Sequence, residues 1–144
     1  EVTGAPVFLE KRLRELHYGI LEGRTADDFR AGHPEVAELF FARRESCSVP
    51  GGETLRERHD RVVAFFEEVA ASAPGGRLVV ITHGGVLDSL FRHVVGLDLA
   101  APRRFELPNG GRNVVERRPD GWRLRAWGDT RHLNGLRSRT FVEG

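Results

Sequence analysis

The sequence predicts an α/β protein, and three observations carry that prediction. A continuous apolar run, Leu78-Val79-Val80-Ile81, lies between Pro74-Gly75-Gly76 and Thr82-His83-Gly84-Gly85. It suits a strand covered on both faces, as in a parallel sheet. Helical spacing starts at once beyond it, at Val86, Leu87, Leu90, Phe91, Val94 and Val95, and Gly96 supplies a C-terminal stop. Upstream, Thr54-x-x-Glu57 is a full capping box that opens the longest helix, to about Ser72. Leu55, Val62, Phe65, Phe66 and Val69 face its core side.

The other elements follow in chain order. Val7, Phe8 and Leu9 predict a short strand. Residues 11–23, KRLRELHYGILEG, are broken by Gly19 and Gly23 and read as a strand end passing into a loop. Thr25-Ala26-Asp27-Asp28 resembles a capping box and predicts a short helix to about Ala31, broken by Gly32 and His33. Pro34 suits the first turn of the next helix, PEVAELFFARRE, with an apolar stripe at Val36, Leu39 and Phe40. SCSVPGG is a loop. After Gly96 the chain is irregular through Pro102 and Pro108. Arg112–Arg118 and Trp122–Trp127 then read as a hairpin across Pro119-Asp120-Gly121. There is no repeat, low-complexity block or linker, so residues 1–144 are expected to be one domain.

Composition narrows the function. The 144 residues carry a formal net charge of +1, which gives no argument for a nucleic-acid or membrane partner. No run of apolar residues suits a transmembrane helix. Cys47 is the single cysteine, so an internal disulfide is excluded and a reducing, cytoplasmic setting is expected. The sequence begins at Glu1 and contains no methionine, so a preceding segment is expected.

His83 stands where the strand should stop and the helix start. Ligands of α/β folds bind beyond the carboxyl ends of strands, and a helix N-terminus offers unpaired amides and partial positive charge to an anion. Gly84 and Gly85 lack a Cβ, which lets an anion approach their backbone. His83, Gly84 and Gly85 together therefore suit a phosphate or a carboxylate; a hydrogen-bonded turn histidine is the competing reading. Glu15, within Arg12-Leu13-Arg14-Glu15-Leu16-His17-Tyr18-Gly19, is a candidate general acid, against a solvated strand-end glutamate. His17 and Tyr18 carry little weight taken alone. Arg43-Arg44 reads as a solvated helix face, Glu53 as a helix N-terminal charge, and His59 and His93 as surface or core positions. The six histidines lack the spacing of a common zinc site, and no phosphate-loop, dinucleotide or nucleophile-elbow motif is present.

Taken in order, RLRELHYGILEG, the proline-glutamate helix, PGGETLRERHDRV, VVITHGGVLDSL, LPNGGRNVVE and WGDTRHL resemble the histidine phosphatase superfamily, with its phosphoglycerate-mutase-like fold. The likeness runs from about Arg12 to Leu133. It implies a three-layer α/β/α sandwich, incomplete at its N-terminus, of which this chain is the C-terminal two-thirds. It also implies phosphoryl transfer through a phosphohistidine, without metal or other cofactor, on a small phosphorylated substrate. By the same resemblance Glu15 is the general acid and His83 the second, phosphate-holding histidine. Gly84 and Gly85 present amides to the phosphate, and His17 and Tyr18 line the substrate mouth. The family's nucleophilic histidine lies on an Arg-His-Gly motif that these residues do not contain. The expectation is that this motif belongs to a segment ahead of Glu1. A short region between the second helix and PGGET favours a phosphatase over a mutase. A mutase and a non-catalytic phosphate-ligand-binding or scaffold protein stay open as alternatives.

Overall fold

The computed structural model describes residues 4–42, 47 and 49–135. The chain divides into two compact units, residues 1–103 and 104–144.

The first unit is helical. Helix α1 (Ala26–Gly32) starts on Thr25, whose hydroxyl accepts from the Asp28 amide while the Asp28 carboxylate takes the Thr25 N–H. Helix α2 (Pro34–Phe41) follows with proline in its first turn. It ends four residues short of the expected Glu45, and Arg43-Arg44 lies outside the described residues. Helix α3 (Leu55–Ser72) carries the predicted capping box of Thr54 and Glu57. Helix α4 (Gly84–Val95) ends on Gly96 at φ 68°, the left-handed conformation that glycine adopts without a Cβ penalty. α3 and α4 pack together, burying Val62, Phe65 and Phe66 of one and Val86 and Leu90 of the other. Two further clusters, Leu16-Leu55-Leu99 and Phe29-Ala37-Val49, are bridged by Phe40, which packs against both. On α2 the buried residue is therefore Ala37, and Leu39 of the expected stripe is exposed.

The expected strands of this unit are not formed. Val7, Phe8 and Leu9 are exposed and unassigned to any strand. Residues 11–23 contain two short 3₁₀ turns, Lys11–Leu13 and Gly19–Leu21, instead of a strand end. The central run, expected to be a buried strand, has no assigned strand pairing, with Val79 88% and Ile81 95% exposed. The reason is physical. A helix closes its hydrogen bonds within itself, whereas a strand exists only against a neighbour. Among the described residues only β1 and β2 pair, and both lie in the other unit.

That second unit contains the predicted hairpin. β1 (Arg112–Arg118) pairs antiparallel with β2 (Gly121–Asp129), and Arg118 faces Gly121 across the Pro119-Asp120 turn. The register shifts around Val114. Asn113 bridges the strands there, its Oδ1 accepting from the Gly128 amide at 2.8 Å.

No helix among the described residues is long and apolar enough to cross a membrane.

Candidate active site

The site is built on residues 12–19, and α3 holds that segment in place. Arg12 donates to Glu68 of α3 at 2.8 Å and to Glu10 at 2.8 Å, and its guanidinium lies 5.1 Å from the centre of the Phe65 ring. Arg12 holds the Glu10 carboxyl down to about 2. Arg61, one α3 residue, donates to two backbone carbonyls of the segment, Arg12 at 2.5 Å and Glu15 at 3.3 Å. Glu53 grips Arg61 from behind with both oxygens, at 2.5 and 2.8 Å. Its role is thus an ion pair, more specific than the helix-end charge expected of it. Thr82 donates through Oγ1 to the Leu13 carbonyl at 2.8 Å, which ties the extended run before α4 to the same segment.

The PGG turn locks onto His17-Tyr18-Gly19 through bare backbone. Glu53 N–H donates to the His17 carbonyl at 2.8 Å, and Ile20 N–H to that of Pro50 at 3.1 Å. A Cβ on Gly19, which sits at φ +55°, would lie 2.3 Å from the Pro50 oxygen, and one on Gly52 would lie 2.7 Å from the His17 oxygen. No side chain fits at either place.

These anchors deliver Glu15 to the first turn of α4. Its Oε2 accepts from the Gly85 amide at 2.8 Å and its Oε1 from the Leu16 amide at 2.8 Å. A carboxylate at a helix N-terminus meets an unpaired donor and the positive end of the dipole. A Cβ on Gly85 would stand 2.1 Å from Glu15 Oε1, so a side chain there would push the carboxylate from its seat. The family resemblance gives the Gly85 amide to a phosphate; here it donates to the Glu15 carboxylate. At Gly84 a Cβ would meet nothing within 4 Å, so that position faces open space.

His83 is the N-cap residue of α4 and makes no side-chain cap bond. It is exposed and is not packed into the core. Glu15 and the helix that His83 opens are therefore brought together, the carboxylate bonding the amide two residues beyond the histidine. Tyr18 is half-buried and feels the same site. Burial and the Glu15 carboxylate push its phenol up, and Arg58 pulls it down. His17 is exposed and faces Glu22, with Nε2 and Oε1 3.5 Å apart.

Sequence reasoning missed Arg58. It is buried on α3, and its Nη1 would lie 2.7 Å from a Cβ on Gly85. A signal was available: Arg58 falls three residues after Leu55 and four before Val62, on the apolar face that the capping box sets in phase. Arg61 was missed as well, and its position one turn further gives no comparable signal.

The geometry seats the Glu15 carboxylate on the first turn of α4. The chain belongs to the histidine phosphatase superfamily (branch 1), whose family model matches residues 1–130. It is 31% identical over 125 residues to a metal-independent phosphoserine phosphatase of Arabidopsis thaliana, covering 86% of this chain and 51% of that protein. It is 30% identical over 139 residues to a probable phosphoglycerate mutase of Serratia proteamaculans, covering 93% of this chain and 65% of that protein. Among solved structures it resembles a mycobacterial glucosyl-3-phosphoglycerate phosphatase in complex with VO3, with a TM-score of 0.72 and 27% identity. That match covers 89% of this chain and 67% of the other. The chain thus spans half to two-thirds of the length of these relatives. Its fold is the α/β fold of the histidine phosphatases, and the run Leu78–Ile81 leads into α4 without forming the buried strand that the sequence predicts.

Proposed function

We propose that this chain is the acid-bearing part of a phosphomonoesterase that works through a phosphohistidine on a small phosphorylated substrate. One observation carries the reading: the Glu15 carboxylate sits 2.8 Å from the Gly85 amide, on the helix that His83 opens. Glu15 protonates the leaving oxygen. His83 and the Gly84 amide hold phosphoryl oxygens, and His17 and Tyr18 face the substrate. The reaction proceeds by positioning and electrostatic stabilisation, and needs no metal in this reading, as the name of the Arabidopsis relative supports. The 144 residues contain no Arg-His-Gly, and we assign the nucleophilic histidine to a segment outside them. The family match runs through both compact units, which supports treating residues 1–144 as parts of one domain. The names of the relatives favour a second reading too, a phosphoglycerate mutase. A cytoplasmic location belongs to the proposal.

The test uses the full-length gene product and two phosphomonoesters, an alkyl phosphate with a poor leaving group and an activated aryl phosphate. Glu15→Gln should slow the alkyl ester by about 10²–10⁴-fold, the usual worth of general acid–base catalysis, and the aryl ester far less. Equal losses on both would leave Glu15 with a structural role only. Net transfer of the phosphoryl group to a second hydroxyl, in place of release as phosphate, would select the mutase.

A further inference from the structure

Arg58 is enclosed by α4. Its Nε donates to the Ser89 hydroxyl at 3.2 Å and its Nη2 to Asp88 Oδ2 at 3.5 Å. The guanidinium is a rigid planar fork, so fixing one edge on Ser89 and Asp88 fixes the direction of the remaining corner. That corner, Nη1, meets Gly85 at the place where the Glu15 carboxylate also arrives. A single point, the Cβ position of Gly85, is 2.7 Å from Arg58 Nη1 and 2.1 Å from Glu15 Oε1. The two groups cannot be further apart than those two distances together. Tyr18 registers both charges, with opposite sign, which places cation and carboxylate in one neighbourhood.

The row continues inward. Asp88 Oδ2 also accepts from Arg92 Nε at 3.1 Å, and Arg92 Nη1 donates to the carbonyls of Asp98 at 2.5 Å and Ala101 at 2.8 Å. Arg58, Asp88 and Arg92 are all buried. Charges alternate along it: Glu15, Arg58, Asp88, Arg92. A buried guanidinium is tolerated when it is paired, and Asp88 supplies that pairing from the α4 side.

We propose that Arg58 is a positioning residue: held by Asp88 and Ser89, it keeps the Glu15 carboxylate seated on the Gly85 amide. This deepens the reading of Glu15 as the general acid, and it states what aims that acid. The role acts through Glu15 and requires no contact between Arg58 and substrate.

The test reads the seat itself, so that it is independent of activity. In ¹⁵N-labelled protein, the Gly85 amide proton should lie downfield and exchange slowly, because it donates to a carboxylate. Glu15→Gln should move that proton upfield and speed its exchange about tenfold. Arg58→Met replaces the guanidinium with an apolar group, and Asp88 keeps its ion pair with Arg92. It should reproduce the Glu15→Gln signature at Gly85. Ser89→Ala keeps every charge and should move the proton the same way by a smaller amount, which serves if Arg58→Met does not fold. A Gly85 proton that responds to Glu15→Gln but stays in place in the folded Arg58 or Ser89 variants would overturn the proposal. One that ignores Glu15→Gln would overturn it as well. The alkyl and aryl phosphate assay judges the phosphatase reading separately.

Discussion

Two neighbouring stretches of the first unit, Leu78–Ile81 and α4, begin only a few residues apart and fare very differently. Both are rich in valine and leucine. α4 buries Val86 and Leu90 against α3, whereas Val79 and Ile81 are almost fully exposed. The difference lies in where the hydrogen bonds come from. α4 satisfies its own backbone, opens at His83 and closes on Gly96. The apolar run has no such internal solution, and the residue that follows it, Thr82, is anchored through its hydroxyl on the Leu13 carbonyl. An apolar sequence thus specifies a helix locally but specifies a strand only together with its partner.

Four substitutions break or sharpen this contrast. The largest effect is expected at the junction of the two stretches. In the full-length protein, His83→Ala should lower turnover about 10²–10³-fold, the range for losing one oxyanion-stabilising donor. It should leave the melting temperature nearly unchanged, because His83 is exposed and makes no cap bond. Retained turnover in kinetics at saturating substrate would remove His83 from the site. Next comes Leu90→Ala, which opens a cavity under α4 and should cost roughly 2–5 kcal/mol in urea denaturation. A loss below 1 kcal/mol would show that the α3–α4 contact carries little stability.

A smaller loss, about 1 kcal/mol, is expected from Thr54→Ala at the start of α3. The same cap has a pH signature. Bonds from the Thr54 amide and hydroxyl hold the Glu57 carboxyl below its ordinary value. A carboxyl lowered in the folded state stabilises above its unfolded pKa, and that contribution is lost as pH falls through the folded value. Stability should therefore fall on acidification through and below the ordinary glutamate range, and less steeply in Thr54→Ala; parallel pH curves would rule the cap out as a source. The smallest effect belongs to Ile81→Thr, within about 0.5 kcal/mol in the 144-residue chain, as for an exposed side chain. A loss of 2 kcal/mol there would mean that the run is covered in solution.

What the sequence made legible divides along the same line. Features written in local chemistry were found: both capping boxes, Pro34 in the first turn of α2, Gly96, and the hairpin with its own partner strand. Glu15 and His83 were named through resemblance and an ordered set of short motifs, and their roles belong to the proposal. Features that depend on distant partners were not. Gly52 of PGG and Gly19 read separately as loop breakers, yet each admits the other segment's backbone. Gly85 read as an anion seat, which it is, but its occupant is a side chain seventy residues away. Arg58 carried a clue in its place on an apolar face, whereas Arg61 acts on carbonyl groups, which no side-chain pattern records.

Those two arginines lie three residues apart on α3. Arg61 donates to the Glu15 carbonyl, and Arg58 Nη1 and Glu15 Oε1 converge on the Cβ position of Gly85, so one helix carries both the root of Glu15 and the proposed guide of its carboxylate. A small roll or slide of α3 would move both together and keep Glu15 aligned with its own support. The helix works like a jig, and its far face becomes a place from which the reach of Glu15 can be tuned without touching the site.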